Sequence, residues 1–313
     1  MHHHRHTLSQ SSFVIMSQFR TILHRTSRTG NTKPTNEDVD TYYLSSLNIH
    51  STSPTASSQS SQSQVPPKPD VFVLCDGHGG DAVAKYVAPR LCKYITSQHR
   101  FPLDKVAINT IFNKIQNDLI THPKNIASHC GTTALVVIFY NYNRLQVINL
   151  GDSRAVICHN KLALPLTKDH KPSWPDEKAR IAQVSRDLNT NTRITLAQGS
   201  EDWRIGDLSV SRSFGDLDNV PYVSHNPEVF HYKLSSSDWF VVLCCDGVTD
   251  VLENHEIVNF CLDCYGNNQL QTYGMPYDKM TKTKNIAVKL ADLAEYKGSQ
   301  DNLTAMVVFF DEL

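Results

Sequence analysis

Apolar positions in this chain gather into short unbroken runs. Residues 71–75, 133–140, 145–150, 155–158 and 239–245 are dominated by Val, Ile, Leu, Phe and Cys, which reads as buried strands. Several are separated only by short turns, a spacing that favours antiparallel pairing. Helical spacing appears in three places. Val83, Val87, Leu91 and Ile95 fall four apart across 81–95; Ile111, Ile115 and Leu119 do the same within 106–120; and 286–293 repeats the pattern. Helices interleaved with antiparallel strands predict a layered α/β (α+β) protein.

What closes these runs carries the chemistry. Asp76 follows the run 71–75 directly, and Gly77, His78, Gly79 and Gly80 come next. Asp246 and Gly247 close the run 239–245, Asp152 beside Gly151 interrupts two strands, and Asp301 with Asn302 precedes a final apolar run. Glu37 and Asp38 open another. Carboxylates at strand ends meet when those ends share one rim of a sheet. The plainer alternative makes Asp76 a helix cap and His78 an exposed loop residue.

Acids gathered in one cleft repel one another unless cations neutralise them, and an all-oxygen donor set suits Mg²⁺ or Mn²⁺. Zinc is disfavoured, because no His or Cys pair at finger spacing lies on these strand ends. Cys261 and Cys264 do form a C-x-x-C, but with Ile257, Val258 and Leu262 around them they read as core packing.

Taken in order, NED at 36–38, DGHGG at 76–80, GTTA at 131–134, GDSRAV at 151–156, LTKDHKP at 166–172, SRSFGD at 211–216, CDGVTDVL at 245–252 and GSQDNLT at 298–304 resemble the metal-dependent protein serine/threonine phosphatases, the PPM or type 2C class. The resemblance covers nearly the whole chain from about Ser17. It implies two packed antiparallel β-sheets flanked by α-helices, with the metals at one end of the sandwich. It also implies two Mg²⁺ or Mn²⁺ ions and a weaker third. Asp76 resembles the acid that bridges two ions, and the Gly77 carbonyl a ligand of one; Asp246 and Asp301 resemble the carboxylates of the other. Glu37 and Asp38 match acids that reach the ions largely through water, Asp152 matches a ligand of the third, and Asn302 looks like a support beside Asp301. His78 resembles the general acid that protonates the departing seryl or threonyl oxygen, with an ion-activated hydroxide as the nucleophile.

Two departures from the family pattern stand out. Lys33 occupies the place where the family carries a phosphate-gripping arginine, four residues before Glu37. A lysine is a point charge and does not reproduce a planar bidentate grip, so Arg25 and Arg28 are considered as substitutes beside a weakened Lys33. After Glu177 the family continues with a paired glycine and a short hairpin in a variable flap next to the active site. Here the pair is missing and the stretch, about 173–207, is polar. Its change bears on substrate choice; Trp203 and Arg204 read as packing residues on the strand returning from it.

The primary expectation is a phosphoserine/phosphothreonine protein phosphatase. The alternative is a pseudophosphatase that keeps the fold as a binding or scaffold module, and Lys33 is the argument for it. A metal nuclease or small phosphoester hydrolase shares the chemistry, but the formal net charge of −1 offers no basic field for nucleic acid. The chain of 313 residues is read as a leader, 1–17, and one phosphatase domain, 18–313. The Ser/Gln-rich stretch at about 46–68 is read as a flexible surface insertion. Eight cysteines, mostly within apolar runs, suit reduced thiols and a cytoplasmic or nuclear protein. No apolar stretch is long enough to span a membrane. A monomer acting on phosphorylated proteins is expected.

Overall fold

The computed structural model describes residues 19–45, 68–190, 194–196, 203–266, 273–275 and 282–312. The leader and nearly all of the Ser/Gln-rich insertion lie outside the described residues. Strands β1 (Phe19–Arg28), β8 (Arg154–His159), β9 (Leu162–Pro165), β14 (Asp238–Cys244) and β15 (Leu303–Glu312) form one sheet in the order β1-β15-β14-β8-β9. Strands β2 (Val39–Tyr43), β3 (Asp70–Cys75), β6 (Ala134–Tyr140), β7 (Arg144–Leu150) and β13 (Glu228–Lys233) form a second in the order β13-β7-β6-β3-β2. Every pairing within these sheets is antiparallel.

The unbroken apolar runs follow from burial on both faces. In β3, Phe72 and Leu74 enter the core between the sheets, while Val71, Val73 and Cys75 enter a second core under α1 (Ala82–Thr96) and α2 (Lys105–Ile120). Phe72 and Leu74 are fully buried, each contributing about 1.5–3 kcal/mol. The outer face of the β1–β9 sheet is covered by α5 (Asn254–Tyr265) and α6 (Ile286–Tyr296). The result is a four-layer α/β/β/α sandwich. Cys261 and Cys264 sit on α5 in its core, and all eight cysteines are free and buried. Among the described residues no helix is long and apolar enough to cross a membrane.

Smaller elements complete one end. A ribbon of β4 (Gly77–His78), β5 (Gly131–Thr132) and β12 (Phe214–Gly215) runs in the order β12-β5-β4. The polar stretch after 173 contains a helix, α3 (Pro175–Asp187), and a two-stranded hairpin of β10 (Ile194–Leu196) and β11 (Trp203–Ile205). Ile181, Ile205, Tyr222 and Val223 give this region its own small core. Glu177 locks it to the body by accepting from Arg180 and Arg212, whose hydrogen bonds outweigh burial and hold its carboxyl down at about 2. A short helix, α4 (Asp246–Thr249), follows β14.

Candidate active site

Antiparallel register brings the acid-bearing strand ends together. Val39 pairs with Cys75, Ala134 with Leu150, Cys244 with both Ala305 and Arg154, and Arg28 with Leu303. The segments after β1, β3, β7 and β14 and before β2 and β15 therefore open on one rim. Lys33, Asp76, Gly77, His78, Asp152, Asp246 and Asp301 line a single cleft of about 250 Å³ there. Asp76 is not a helix cap, because α1 begins only after Asp81.

The backbone beside Asp76 is pinned by the GTTA segment. The Asp76 amide donates to Thr133 Oγ1 at 3.0 Å, and the Asp76 carbonyl accepts from Thr132 Oγ1 and the Thr133 amide, both at 2.9 Å. Gly77 lies so close to the Glu37 carbonyl that any Cβ there would collide with it. Asn302 ties the outer segments together: it accepts from the Glu37 amide at 2.9 Å and donates to the Thr35 carbonyl at 3.1 Å. Glu37 is thereby fixed beside the cleft, and Asp38 is buried behind it, 6 % exposed.

Asp38 is the outlier in this arrangement. Neither of its buried oxygens has a hydrogen-bond partner. Burial pushes its carboxyl up to about 6, with Asp301 adding to the rise while Thr304, Asp76 and Cys245 temper it from beyond ordinary hydrogen-bond geometry. Asp246 is pushed up to about 7, first by burial and then by Asp152 and Asp250. Asp76 rises well above the carboxylate range through burial and the charges of Asp246, Asp38 and Asp152. Such a set of oxygen donors, short of positive charge, suits a hard divalent cation. Among the described residues no three His, Cys, Asp or Glu side chains meet around one point, so side chains alone do not form a cage.

Two lysines supply part of the missing charge. Lys33 Nζ lies 2.8 Å from Asp301 Oδ1, and Lys171 Nζ donates to Asp152 Oδ2. Both ammonium groups titrate above their ordinary value, since these carboxylates outweigh burial. The candidate arginine substitutes are engaged elsewhere: Arg25 pairs with Asp40, and Arg28 with Asp292 and Glu295 on α6. Arg204 lines the cleft together with Asp207, which corrects its reading as a packing residue.

His78 Nε2 lies 2.7 Å from Asp216 Oδ2. Burial alone would lower its pKa, but the hydrogen bond and charge of Asp216 outweigh it and the pKa rises. Lys171 and Asp216 were not singled out in the sequence, and Arg204 was read there only as packing. Lys171 and Asp216 belong to motif segments, LTKDHKP and SRSFGD, but nothing in the spacing showed what they would touch.

Residues 45–303 match the family model described as Protein phosphatase 2C. The chain belongs to the protein phosphatase 2C family. As a member it is a phosphatase, and the α+β sandwich is the family's. A PP2C-like domain-containing protein of Acanthamoeba polyphaga mimivirus is 52% identical over 172 residues, covering 54% of this chain and 95% of the relative. A probable protein phosphatase 2C of Oryza sativa subsp. japonica is 32% identical over 242 residues, covering 77% of this chain and 76% of the relative. The fold matches the crystal structure of a serine-threonine phosphatase 2C from Toxoplasma gondii with a TM-score of 0.66 at 21% identity, over 94% of this chain and 95% of that one.

Proposed function

We propose that this protein phosphatase 2C hydrolyses phosphoserine and phosphothreonine esters of proteins, with Mg²⁺ or Mn²⁺ held by Asp76, Asp246, Asp301 and the Gly77 carbonyl. The observation that carries this reading is the convergence of those groups with His78 in one cleft. When bound, the ions supply Lewis-acid chemistry, activating water and taking up charge on the phosphoryl group.

The protein's own groups do the rest. Glu37 stands beside the cleft and Asp38 lies buried behind it, the remaining acids near Asp76. Asp152 has one oxygen occupied by Lys171, as Asp301 has one beside Lys33. His78, whose pKa the Asp216 carboxylate raises against burial, is the group placed to deliver a proton to the departing seryl or threonyl oxygen. General acids contribute about 10²- to 10⁴-fold. Lys33 meets the substrate phosphate as a point charge from its place beside Asp301. Arg204 presents a second cation from the flap hairpin, and substrate choice follows from that wall.

Phosphate release from a phosphothreonine peptide, measured with Mn²⁺, with Mg²⁺ and with EDTA, tests the reading. Release that needs the metal and is lost in Asp76→Asn supports it. No release from a folded protein that binds no metal in calorimetry would turn the assignment toward a binding module.

A further inference from the structure

We infer that Asp216 is the positioning residue of His78: it holds the proton on Nε2, so that Nδ1 is the nitrogen that hands its proton to the leaving oxygen. This rests on the reading of His78 as general acid. Asp216 is 1 % exposed, follows β12, and touches no acid of the cleft through any hydrogen bond among the described residues. Its Oδ2 accepts from His78 Nε2 at 2.7 Å and from the buried hydroxyl of Ser213.

The small ribbon explains how the pair is assembled. Gly131 on β5 pairs with His78 on one side and with Gly215 on the other, so the imidazole and the Asp216 carboxylate lie over residue 131. A Cβ at 131 would run into both Asp216 Oδ2 and His78 Nε2, so only glycine leaves room for the pair. Asp216 itself adopts the left-handed conformation, φ 48° and ψ 42°, anchored by its amide on the Cys130 carbonyl at 3.2 Å. A non-glycine residue held there is uncommon, and Asp and Asn bear it best. The turn therefore aims a fixed carboxylate at one ring nitrogen.

That choice decides how the ring works. In an imidazole, the hydrogen bond made by one nitrogen sets the protonation of the other. With Nε2–H given to Asp216, Nδ1 is left to exchange a proton with a substrate, and the ring, 26 % exposed, lines the cleft. The balance is simple: a hydroxide oxygen bonds to phosphorus as the ester bond to phosphorus breaks, the ester oxygen takes the proton released from Nδ1, and a neutral ring remains with Nε2–H still on Asp216, beside the inorganic phosphate formed.

The test uses the leaving group. Asp216→Asn keeps the shape and the backbone conformation and removes the charge. Turnover of a phosphothreonine peptide, whose alkoxide needs protonation, should fall about 10²-fold, within the range of general-acid contributions. The loss on p-nitrophenyl phosphate, whose phenolate leaves without help, should be at least about tenfold smaller by the same reasoning. Equal losses on both esters would make Asp216 merely structural and overturn the inference. In a His78→Gln background, adding Asp216→Asn should cost the peptide reaction less than about twofold, because groups acting as one unit are not additive; a second full loss overturns it too. Should the variant not fold, ¹⁵N NMR of the wild-type ring in metal-free protein, at a pH where it is neutral, still decides: Nε2–H is expected, and Nδ1–H overturns the inference. Wild-type protein that releases no phosphate with either metal would sink the phosphatase reading instead, leaving the NMR to judge the His78–Asp216 pair alone.

Discussion

At the end of the sandwich away from the cleft, Asp238 and Asp70 begin β14 and β3 and are buried, 3 % and 5 % exposed. Asp238 takes hydrogen bonds from Tyr232 at 2.8 Å, Ser235 Oγ at 2.9 Å and the Ser235 amide at 2.7 Å, with His159 Nδ1 at 2.9 Å. Asp70 takes the Ser45 amide and hydroxyl and the Thr21 hydroxyl. At the cleft end Asp38 is buried to the same degree, 6 % exposed, with no partner for either oxygen. The two ends differ in the donors they give their buried acids: Asp238 and Asp70 are saturated, whereas Asp38 has no donor among the described residues, so burial disfavours its ionised form.

The largest expected effect comes from removing an acid at the cleft end. Asp246→Ala should cut metal-dependent phosphate release by on the order of 10³-fold or more, about 4 kcal/mol of transition-state stabilisation. The metal-free variant should melt no lower than wild type, because a repelled carboxylate has gone. Near-normal turnover at saturating Mn²⁺ would remove Asp246 from the site. The same change at the other end should do the reverse. Asp238→Ala strands Tyr232, His159 and Ser235 and should cost roughly 2–4 kcal/mol in urea unfolding, with kcat of the folded fraction unchanged. A drop in kcat without loss of stability would mean that the two ends are not separate in function.

The contrast also sets opposite pH dependences. The folded pKa of Asp38, about 6, exceeds its ordinary 3.8, so the folded state holds the proton more tightly than the unfolded chain. Stability of the metal-free protein should then fall as pH rises from about 4 to 7, with Asp246, folded pKa about 7, acting in the same direction. Glu177 has the contrary sign: with a folded value of about 2, its stabilisation is present above its ordinary 4.5 and is lost as pH falls toward 2. Urea midpoints across this range should show the neutral-side fall shrink in Asp38→Asn and in wild type saturated with Mn²⁺. A fall that persists unchanged in Asp38→Asn would place its source elsewhere.

The sandwich was readable because its central strands are buried on both faces. The run 71–75 became β3, Asp70–Cys75, and the periodic stretch 106–120 became α2, Lys105–Ile120. Edge strands escaped: β1 reads FRTILHRTSR and β13 reads EVFHYK, half-exposed stretches whose strand character comes from their neighbours. Helix α3 buries only Glu177, Ile181 and Ser185, too little for an apolar stripe to show. The acids were visible because each adjoins an apolar run. Asp216 and Lys171 were not, because each reaches its partner from a connection whose course is set by tertiary packing, as the β12-β5-β4 ribbon sets that of Asp216, and Arg204 reaches the cleft from the short flap strand β11.

Lys33 is where the two ends of the molecule meet their mildest test. It sits 2.8 Å from Asp301 and is about one-third exposed, 35 %, so its ammonium is shared between a cleft acid and solvent. A guanidinium at this position has donors enough to keep an Asp301 contact and still offer a planar pair to a phosphate. Lys33→Arg should therefore lower KM for a phosphothreonine peptide by up to about tenfold, the net worth of one added hydrogen bond, about 0.5–1.5 kcal/mol. Little change in kcat is expected, since uniform binding alters KM alone. An unchanged KM would assign phosphate recognition to Arg204, and Arg204→Gln would then raise KM where Lys33→Arg had not lowered it.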